Sequence, residues 1–342
     1  NIKRDNMRLD DFVGLQPHIR EAGLATVSEL ISCMPGETYQ SNLKGLCDLV
    51  DLGIDQVTCH TLILVNGSEL ATKAERAKWK LKTKFRIMPM DFTRLASGRI
   101  VVEPEECVIE TSTMTYADYV EMRKAFFVLN VVNKKPNKPL LKFLSELDFG
   151  SQALLESMLG AIHNEVGVTG PQAPRNVTAL VRAFDKSTRE ELWDSAEEIQ
   201  NFFQDPEHFR ELVDGRYARN ILFHFTGRAM AEAQSEWQDC IFFHARSLLD
   251  ARGANAERLE MLDEIERYCR GIATNLFSAD RKDRTPQAWL GYDIATWVED
   301  PENRPLASHA FDEPQLARFC LTDEQFRIVE DALERYGRTK DG

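Results

Sequence analysis

The sequence of 342 residues predicts an α/β fold over residues 1–114 and a mainly α-helical region over residues 115–342. Three observations favour this division. Helical and strand-like segments alternate over the first hundred residues with short glycine turns, which is typical of βα units and a parallel sheet. Helical apolar spacing dominates after Thr115. Only two strands are strong, and because parallel sheets are covered on both faces, they indicate part of a larger α/β domain.

The composition limits the classes of partner and location. The net charge is −13, so a nucleic-acid-binding protein is not expected. No apolar run reaches the roughly 18 residues that a membrane-spanning helix requires, and no signal peptide opens the chain. We therefore expect a cytoplasmic location without a membrane span. The chain starts with Asn1 instead of methionine, which we interpret as the start of a processed or truncated piece.

Apolar periodicity and turn residues predict the elements of the first half in order. A helix is expected over residues 9–19, followed by a strand over residues 25–33. Thr38 is a suitable N-cap for a second helix, and Gly53 is its expected stop. Residues 56–65 are rich in β-branched and apolar side chains and predict a second strand. Two shorter extended stretches around Ser97-Gly98 then indicate a small hairpin or an extension of the sheet edge.

The second half is predicted to be mostly helical. Thr115 and Asp118 have the spacing of a capping box at the start of a helix. The lysine-rich segment 133–139 is interpreted as a solvated linker. Helices continue to about residue 277, interrupted by a loop at 166–174. An irregular proline-rich stretch is expected over 298–316, before a final helix that starts near Thr322 and ends near Tyr336.

The seven cysteines are too far apart for a local cluster motif. They are Cys33, Cys47, Cys59, Cys107, Cys240, Cys269 and Cys320. No CxxC or CxxxCxxC spacing occurs, so the chain contains no iron–sulfur or zinc motif of that kind. We expect reduced, buried cysteines that act as small apolar residues. Nucleotide-fold, P-loop and GxSxG motifs do not occur either.

The first strand ends in the turn Pro35-Gly36-Glu37-Thr38, which raises a functional question. A carboxylate beside a helix N-terminus could contact a bound ligand, since backbone N–H groups point out of that end. The alternative is purely structural, because helices favour an acid in the first turn and a threonine N-cap without any ligand.

The order of several motifs resembles a known family. The motifs are NIKRDN at 1–6, EAG at 21–23, ELISCMPGET at 29–38, DLGIDQV at 51–57 and VNGSELA at 65–71. The stretches at 80–89, 101–132, 289–297 and 321–337 are also similar. Together they resemble the second half of the radical SAM barrel, in the subgroup that carries a cobalamin-binding domain upstream.

The resemblance implies a fold, an activity and cofactors. It implies the C-terminal half of a partial, incomplete TIM-type parallel barrel, followed by the helical region. It also implies an enzyme that uses a [4Fe–4S] cluster to cleave S-adenosylmethionine reductively for radical chemistry on an unknown substrate. Cobalamin is a candidate third cofactor, bound upstream. The cluster ligands are not in this chain, so we expect an inactive fragment whose partners are the N-terminal barrel half and an electron donor.

The resemblance also assigns candidate cofactor-binding residues, while catalytic residues stay unknown. They are Pro35, Gly36, Glu37, Thr38, His60, Asn66 and Gly67. His60 would point into the barrel with Thr58 and Leu62, or would be a buried histidine held by a backbone carbonyl. Asn66-Gly67 would approach the cofactor by backbone, or would form a plain loop.

The chain departs from the family pattern at two of these turns. Where this chain has Cys33, Met34 and Asn66-Gly67-Ser68, the family has glycine, leucine and Pro-Gly-Thr.

Other residues have a simpler structural interpretation. Cys240 and His244 share a helix face, but no third and fourth metal ligand follows, so a core position is favoured. Two aromatic sets could line a substrate cavity but more often form core; they are Phe126-Phe127 and Trp289, Tyr292 and Trp297. The rival function is a non-catalytic scaffold or protein-interaction module.

Overall fold

Three two-stranded sheets and a set of packed helices make up the described part of the protein. The structure is a computed structural model, and it describes residues 14–15, 18–19, 22–163, 170–273 and 286–320. The strands are β1 (Val27–Ser32), β2 (Gln56–Thr61), β3 (Lys82–Arg94), β4 (Ile100–Glu110), β5 (Gln287–Tyr292) and β6 (Ala310–Arg318). β1 and β2 are parallel, whereas β3–β4 and β5–β6 are antiparallel.

Along the chain, most of the helices follow β4 and precede β5. They are α1 (Tyr39–Asp51), α2 (Lys73–Trp79), α3 (Tyr116–Val132), α4 (Lys138–Glu146), α5 (Ser151–His163), α6 (Arg175–Glu190), α7 (Ala196–Phe202), α8 (Pro206–Val213), α9 (Ile221–Glu232), α10 (Gln234–Ala251), α11 (Ala256–Ile272) and α12 (Ile294–Val298). Short 3-10 helices span Glu69–Ala71, Lys135–Asn137 and Leu306–His309. The predicted helical character of the second half is confirmed in the described residues.

The β1–α1–β2 unit follows the sequence prediction closely. Thr38 caps α1 in a capping box with Ser41, and Gly53 follows the helix end with a φ of 76°, which glycine adopts without steric cost. The buried face of α1 packs on the sheet where Gly45 faces Leu30. If Gly45 had a Cβ, that atom would lie only 3.2 Å from the Leu30 side chain. The absence of that Cβ allows the helix to approach the strand.

β2 is shorter than the predicted strand over 56–65. It ends at Thr61, after which the chain pairs with β4 through an isolated antiparallel bridge between Ile63 and Cys107. The Leu64 amide donates to the Glu106 carbonyl at 2.9 Å. The element beside β2 is therefore an antiparallel hairpin. Its strands turn at Ser97-Gly98, as the hairpin alternative predicted.

Two other segment predictions are wrong. The 133–139 stretch is not a solvated linker: Asn137 is buried, and Lys138 donates to the Ile54 carbonyl at 3.1 Å. The 298–316 stretch is not irregular, because it contains a 3-10 helix and most of β6, which pairs with β5. In both cases the segment gains its order from distant partners. The predicted helices at 9–19 and 322–336 lie wholly or mostly outside the described residues. Of the predicted loop at 166–174, residues 170–174 are described, and they form turns and bends as predicted.

One hydrophobic core runs across the predicted boundary at residues 114 and 115. It contains Leu46 of α1 together with Phe127 of α3 and Trp237 of α10. A smaller core joins the β3–β4 hairpin to α7 and α8. The fold is thus mixed α/β with helices predominating, and the described strands form no closed barrel. A partial barrel stays a prediction.

No helix in the described part of the chain is long and apolar enough to cross a membrane.

Candidate functional site

The turn after β1 is built from two residues with positive φ. Cys33 has a φ of 63° and Gly36 a φ of 89°. The left-handed conformation at position 33 is one that glycine adopts readily and that other residues adopt rarely. Cys33 is fully buried, and its thiol lies 3.8 Å from the Met114 sulfur. Tertiary packing therefore holds this unusual backbone in place.

Glu37 is engaged by two parts of the fold. Its carboxylate oxygen Oε2 accepts a 2.6 Å hydrogen bond from the Ser41 hydroxyl, and its backbone carbonyl accepts a 2.5 Å bond from Thr113. The Glu37 side chain is partly exposed at the start of α1. The structural interpretation is therefore only half met: Thr38 is the N-cap, but Glu37 precedes the cap and is not an acid of the first turn. Its carboxylate lies at the C-terminal end of a parallel strand.

His60 lies on the exposed face of the β1–β2 sheet. In the register of this sheet His60 is beside Ile31, and its Nε2 lies 3.5 Å from Glu29 Oε1. The alternation of β2 places Thr58 on this same face and Val57 and Thr61 on the buried one. Leu62 breaks the alternation because it is buried. The alternative of a buried histidine held by a backbone carbonyl is wrong.

Asn66 and Gly67 form an exposed turn after the bridge to β4. The Ser68 amide donates to the Val65 carbonyl at 3.0 Å, and Gly67 has a φ of 84°. A Cβ at Gly67 would meet nothing within 4 Å, so the residue serves the backbone conformation and not a close approach to neighbouring atoms. Among the described residues, no hydrogen bond or ion pair links Glu37, His60 and Asn66 to one another.

A charged cluster between three helices is not predicted by the sequence. Lys124 of α3 is buried, and its Nζ lies 2.7 Å from Glu121 Oε1, 3.1 Å from His163 Nε2 and 3.5 Å from Asp185 Oδ1. Arg189 Nε lies 3.0 Å from the second oxygen of Asp185. The spacing of Glu121 with Lys124, and of Asp185 with Arg189, indicates local pairs, but only packing of α3, α5 and α6 joins them.

The charges of this cluster balance each other. Burial raises the pKa of the Asp185 carboxyl, but the hydrogen bond from Arg189 and the charge of Lys124 outweigh it and leave that pKa below its ordinary value. Tyr39, the first residue of α1, is influenced by Glu121, and burial with this negative charge raises the pKa of Tyr39 to about 12. The cluster therefore borders the helix that follows the candidate turn.

Most of the remaining candidates are core residues; the exceptions are Trp289, which is exposed, and Tyr292, which is half-buried. Cys240 and His244 both contact the Gln172 carbonyl, and no group of three His, Cys, Asp or Glu side chains in the described residues has the arrangement of a metal site. The aromatic candidates Phe126, Phe127 and Trp297 are buried, whereas Trp289 is 63% exposed.

Comparison with known proteins adds no family assignment. No protein-family model matches the chain, and no sequence among the curated proteins matches it.

Proposed function

We propose that the chain is part of a radical SAM enzyme and supplies the C-terminal half of its parallel barrel, with the turn at residues 35–38 in the wall of the S-adenosylmethionine site. The sequence resemblance motivates this proposal. One structural observation supports it above the others: in the described part of the chain, the β1–β2 sheet is exposed on one face and unpaired at one edge.

The open face consists of alternate residues of both strands. Val27 is 60% exposed and Ile31 is 37% exposed, although both are apolar and lie in a parallel sheet. Among the described residues, no strand pairs with the second edge of β1. Parallel sheets are normally covered on both faces. The exposed face and the unpaired edge of this sheet are therefore what we expect if further strands continue it. In the proposal, those strands come from sequence outside the described residues.

The described residues fit part of the implied cofactor set. S-adenosylmethionine carries hydroxyl, amine and carboxylate groups, and Glu37 offers a partly exposed carboxylate at the carboxyl end of β1, where α/β barrels bind their ligands. The iron–sulfur cluster has no ligand set among the described residues. When bound, the cluster supplies the electron for cleavage of S-adenosylmethionine, and this chain would contribute binding and orientation. Cobalamin, if the enzyme uses it, belongs to the upstream domain.

The reading frame ahead of Asn1 tests the family assignment directly. A CxxxCxxC motif on a predicted strand, followed by enough βα units to complete the barrel, is the expected result. A start codon immediately ahead of Asn1, without any such motif, would overturn the proposal.

Binding of S-adenosylmethionine by the complete protein tests the role of the turn. Glu37→Gln keeps an oxygen for the Ser41 hydroxyl and removes the charge. We expect at least about tenfold weaker binding by calorimetry, because hydrogen bonds to charged groups are the stronger ones. Asp48→Asn removes the same charge near the other end of α1 and should leave affinity unchanged. Equal affinity of Glu37→Gln and the unaltered protein would exclude the turn from the site.

A protein-interaction module is the second candidate, favoured by exposed apolar side chains in the helical region and on the last sheet. Phe223 of α9 is 73% exposed, and Trp289 of β5 pairs across the strands with the exposed Leu316 of β6. Side chains of this kind are enriched in protein interfaces. A start codon immediately ahead of Asn1 would favour this function over the enzyme.

A further inference from the structure

A serine and a histidine of the helical region form a hydrogen-bonded pair apart from the candidate turn. Ser157 Oγ of α5 lies 2.8 Å from His244 Nδ1 of α10. The other ring nitrogen, His244 Nε2, lies 2.8 Å from the Gln172 carbonyl oxygen. Three separate segments thus meet at this imidazole, and both of its nitrogens are engaged.

The geometry determines which nitrogen of the neutral ring carries the proton. A carbonyl oxygen can only accept a hydrogen bond, so His244 Nε2 must be the donor to Gln172. In the neutral ring Nδ1 is then unprotonated and accepts from the Ser157 hydroxyl. A serine that donates to an unprotonated imidazole, whose far nitrogen is held by a third group, has the arrangement of an activated nucleophile.

The histidine is buried, while the serine reaches the surface. His244 is 4% exposed, and Ser157 is partly exposed. Burial lowers the pKa of His244, although the bond to Gln172 opposes this, so the ring is the free base at neutral pH. Gly160 lies one turn beyond Ser157 on α5, and a Cβ there would meet nothing within 4 Å. Open space therefore exists on α5 one turn from Ser157.

We propose that Ser157 is a nucleophile that accepts an acyl or phosphonyl group with His244 as its general base. With an activated ester, a bond forms between Ser157 Oγ and the acyl carbon, and the bond from that carbon to the leaving alcohol breaks. The serine proton passes to His244 Nδ1 and then to the leaving alkoxide. Water, deprotonated by the same nitrogen, releases the acid and restores the serine. The substrates would be activated esters.

A fluorophosphonate probe tests this directly, because its phosphorus bonds to an activated serine oxygen as fluoride leaves. We expect one label per chain, located on Ser157 by peptide mass spectrometry and absent in Ser157→Ala. His244→Gln retains a donor for the Gln172 carbonyl and removes the base, so it should slow labelling at least about tenfold. Ser247→Ala is the matched control. Within the described residues the Ser247 hydroxyl of α10 donates only to the Phe243 carbonyl, so its loss should not affect labelling.

Circular dichroism and thermal melting would verify that each variant is folded. An unlabelled but folded protein, under conditions that label a known serine hydrolase, would overturn the proposal. So would labelling of Ser157 at an unchanged rate in His244→Gln. Neither outcome bears on S-adenosylmethionine binding, because the pair lies on other elements than the candidate turn.

Discussion

The Thr113 hydroxyl donates a 2.5 Å hydrogen bond to the backbone carbonyl of Glu37. The two residues are 76 positions apart, on the turn after β1 and on the loop that leads into α3. Met114, the next residue, packs its sulfur against Cys33 of the same turn. The position of the candidate turn is therefore set partly by the start of the helical region.

Thr113→Val tests how much this contact stabilises the turn. Valine keeps the shape of threonine and removes the donor, so we expect a loss of about 0.5–1.5 kcal/mol in the free energy of unfolding, measured in urea. Thr113→Ser keeps the hydroxyl and should recover most of that loss. If valine and serine behave alike, the hydrogen bond to Glu37 does not contribute to stability.

Local chemistry explains which elements the sequence predicts well. The caps Thr38 and Thr115 depend on residues three positions away, so both are predicted and both are observed. β2 ends at Thr61 because the chain then pairs with β4 through Ile63 and Cys107, which are about 45 positions apart. The apolar sequence pattern continues past this point, so the strand is predicted to be too long. Periodicity within one strand does not reveal when a strand exchanges a parallel partner for an antiparallel one.

The same distinction applies to the candidate site. The turn at residues 35–38 is recognisable because proline, glycine and a cap are local signals. The pairing of His60 with Glu29 depends on the register of two strands, and the environment of Lys124 depends on three helices. Neither has a sequence spacing that would identify it.

Glu106 is expected to make stability depend on pH. Its carboxylate accepts two 2.6 Å hydrogen bonds from Arg76 and a 2.7 Å bond from Thr83. The bonds from Arg76 hold the pKa of Glu106 below its ordinary value of 4.5. Since folding lowers this pKa, the contribution to stability is fully present above about pH 4.5 and is lost as the pH falls through the native value.

Glu106→Gln should therefore destabilise the protein by about 1–2 kcal/mol at pH 7 and by much less near pH 3. Urea unfolding at both values measures this difference. Glu103→Gln, at an exposed glutamate of the same strand, is the control and should change stability little at either pH. A Glu106→Gln effect that is equal at pH 7 and pH 3 would contradict the assigned pKa shift.

Phe127 is expected to be among the most important core residues. It is fully buried, stacks on Phe184 at 4.7 Å between ring centroids, and contacts Trp237 edge-on at 5.9 Å. Phe127→Ala should cost about 3–5 kcal/mol in the free energy of unfolding, because it leaves a cavity between three helices. Phe223→Ala makes the same change at a side chain that is 73% exposed, and it should cost less than about 0.5 kcal/mol. Similar losses for both variants would contradict the described core.

Thiol reactivity should distinguish one cysteine from the other six. Cys320 is exposed, whereas five of the others are buried and Cys59 is partly so. Burial raises the pKa of Cys33, Cys47 and Cys240 to about 12, so only about one in ten thousand of these thiols is a thiolate at pH 8. Ellman's reagent should therefore modify one thiol per chain within minutes in the native protein and all seven after denaturation.

Cys320→Ser should remove the fast phase completely, and Cys59→Ser should leave it intact. The second variant is the sharper control, because Cys59 is the least enclosed of the other six and still has its pKa raised to about 11 by burial. Because a buried thiol reacts only through local or global opening, its rate also reports the stability of the β1–β2 unit. A second fast thiol that disappears in Cys59→Ser would mean that β2 opens readily, and the sheet that carries the candidate site would then be poorly ordered in solution.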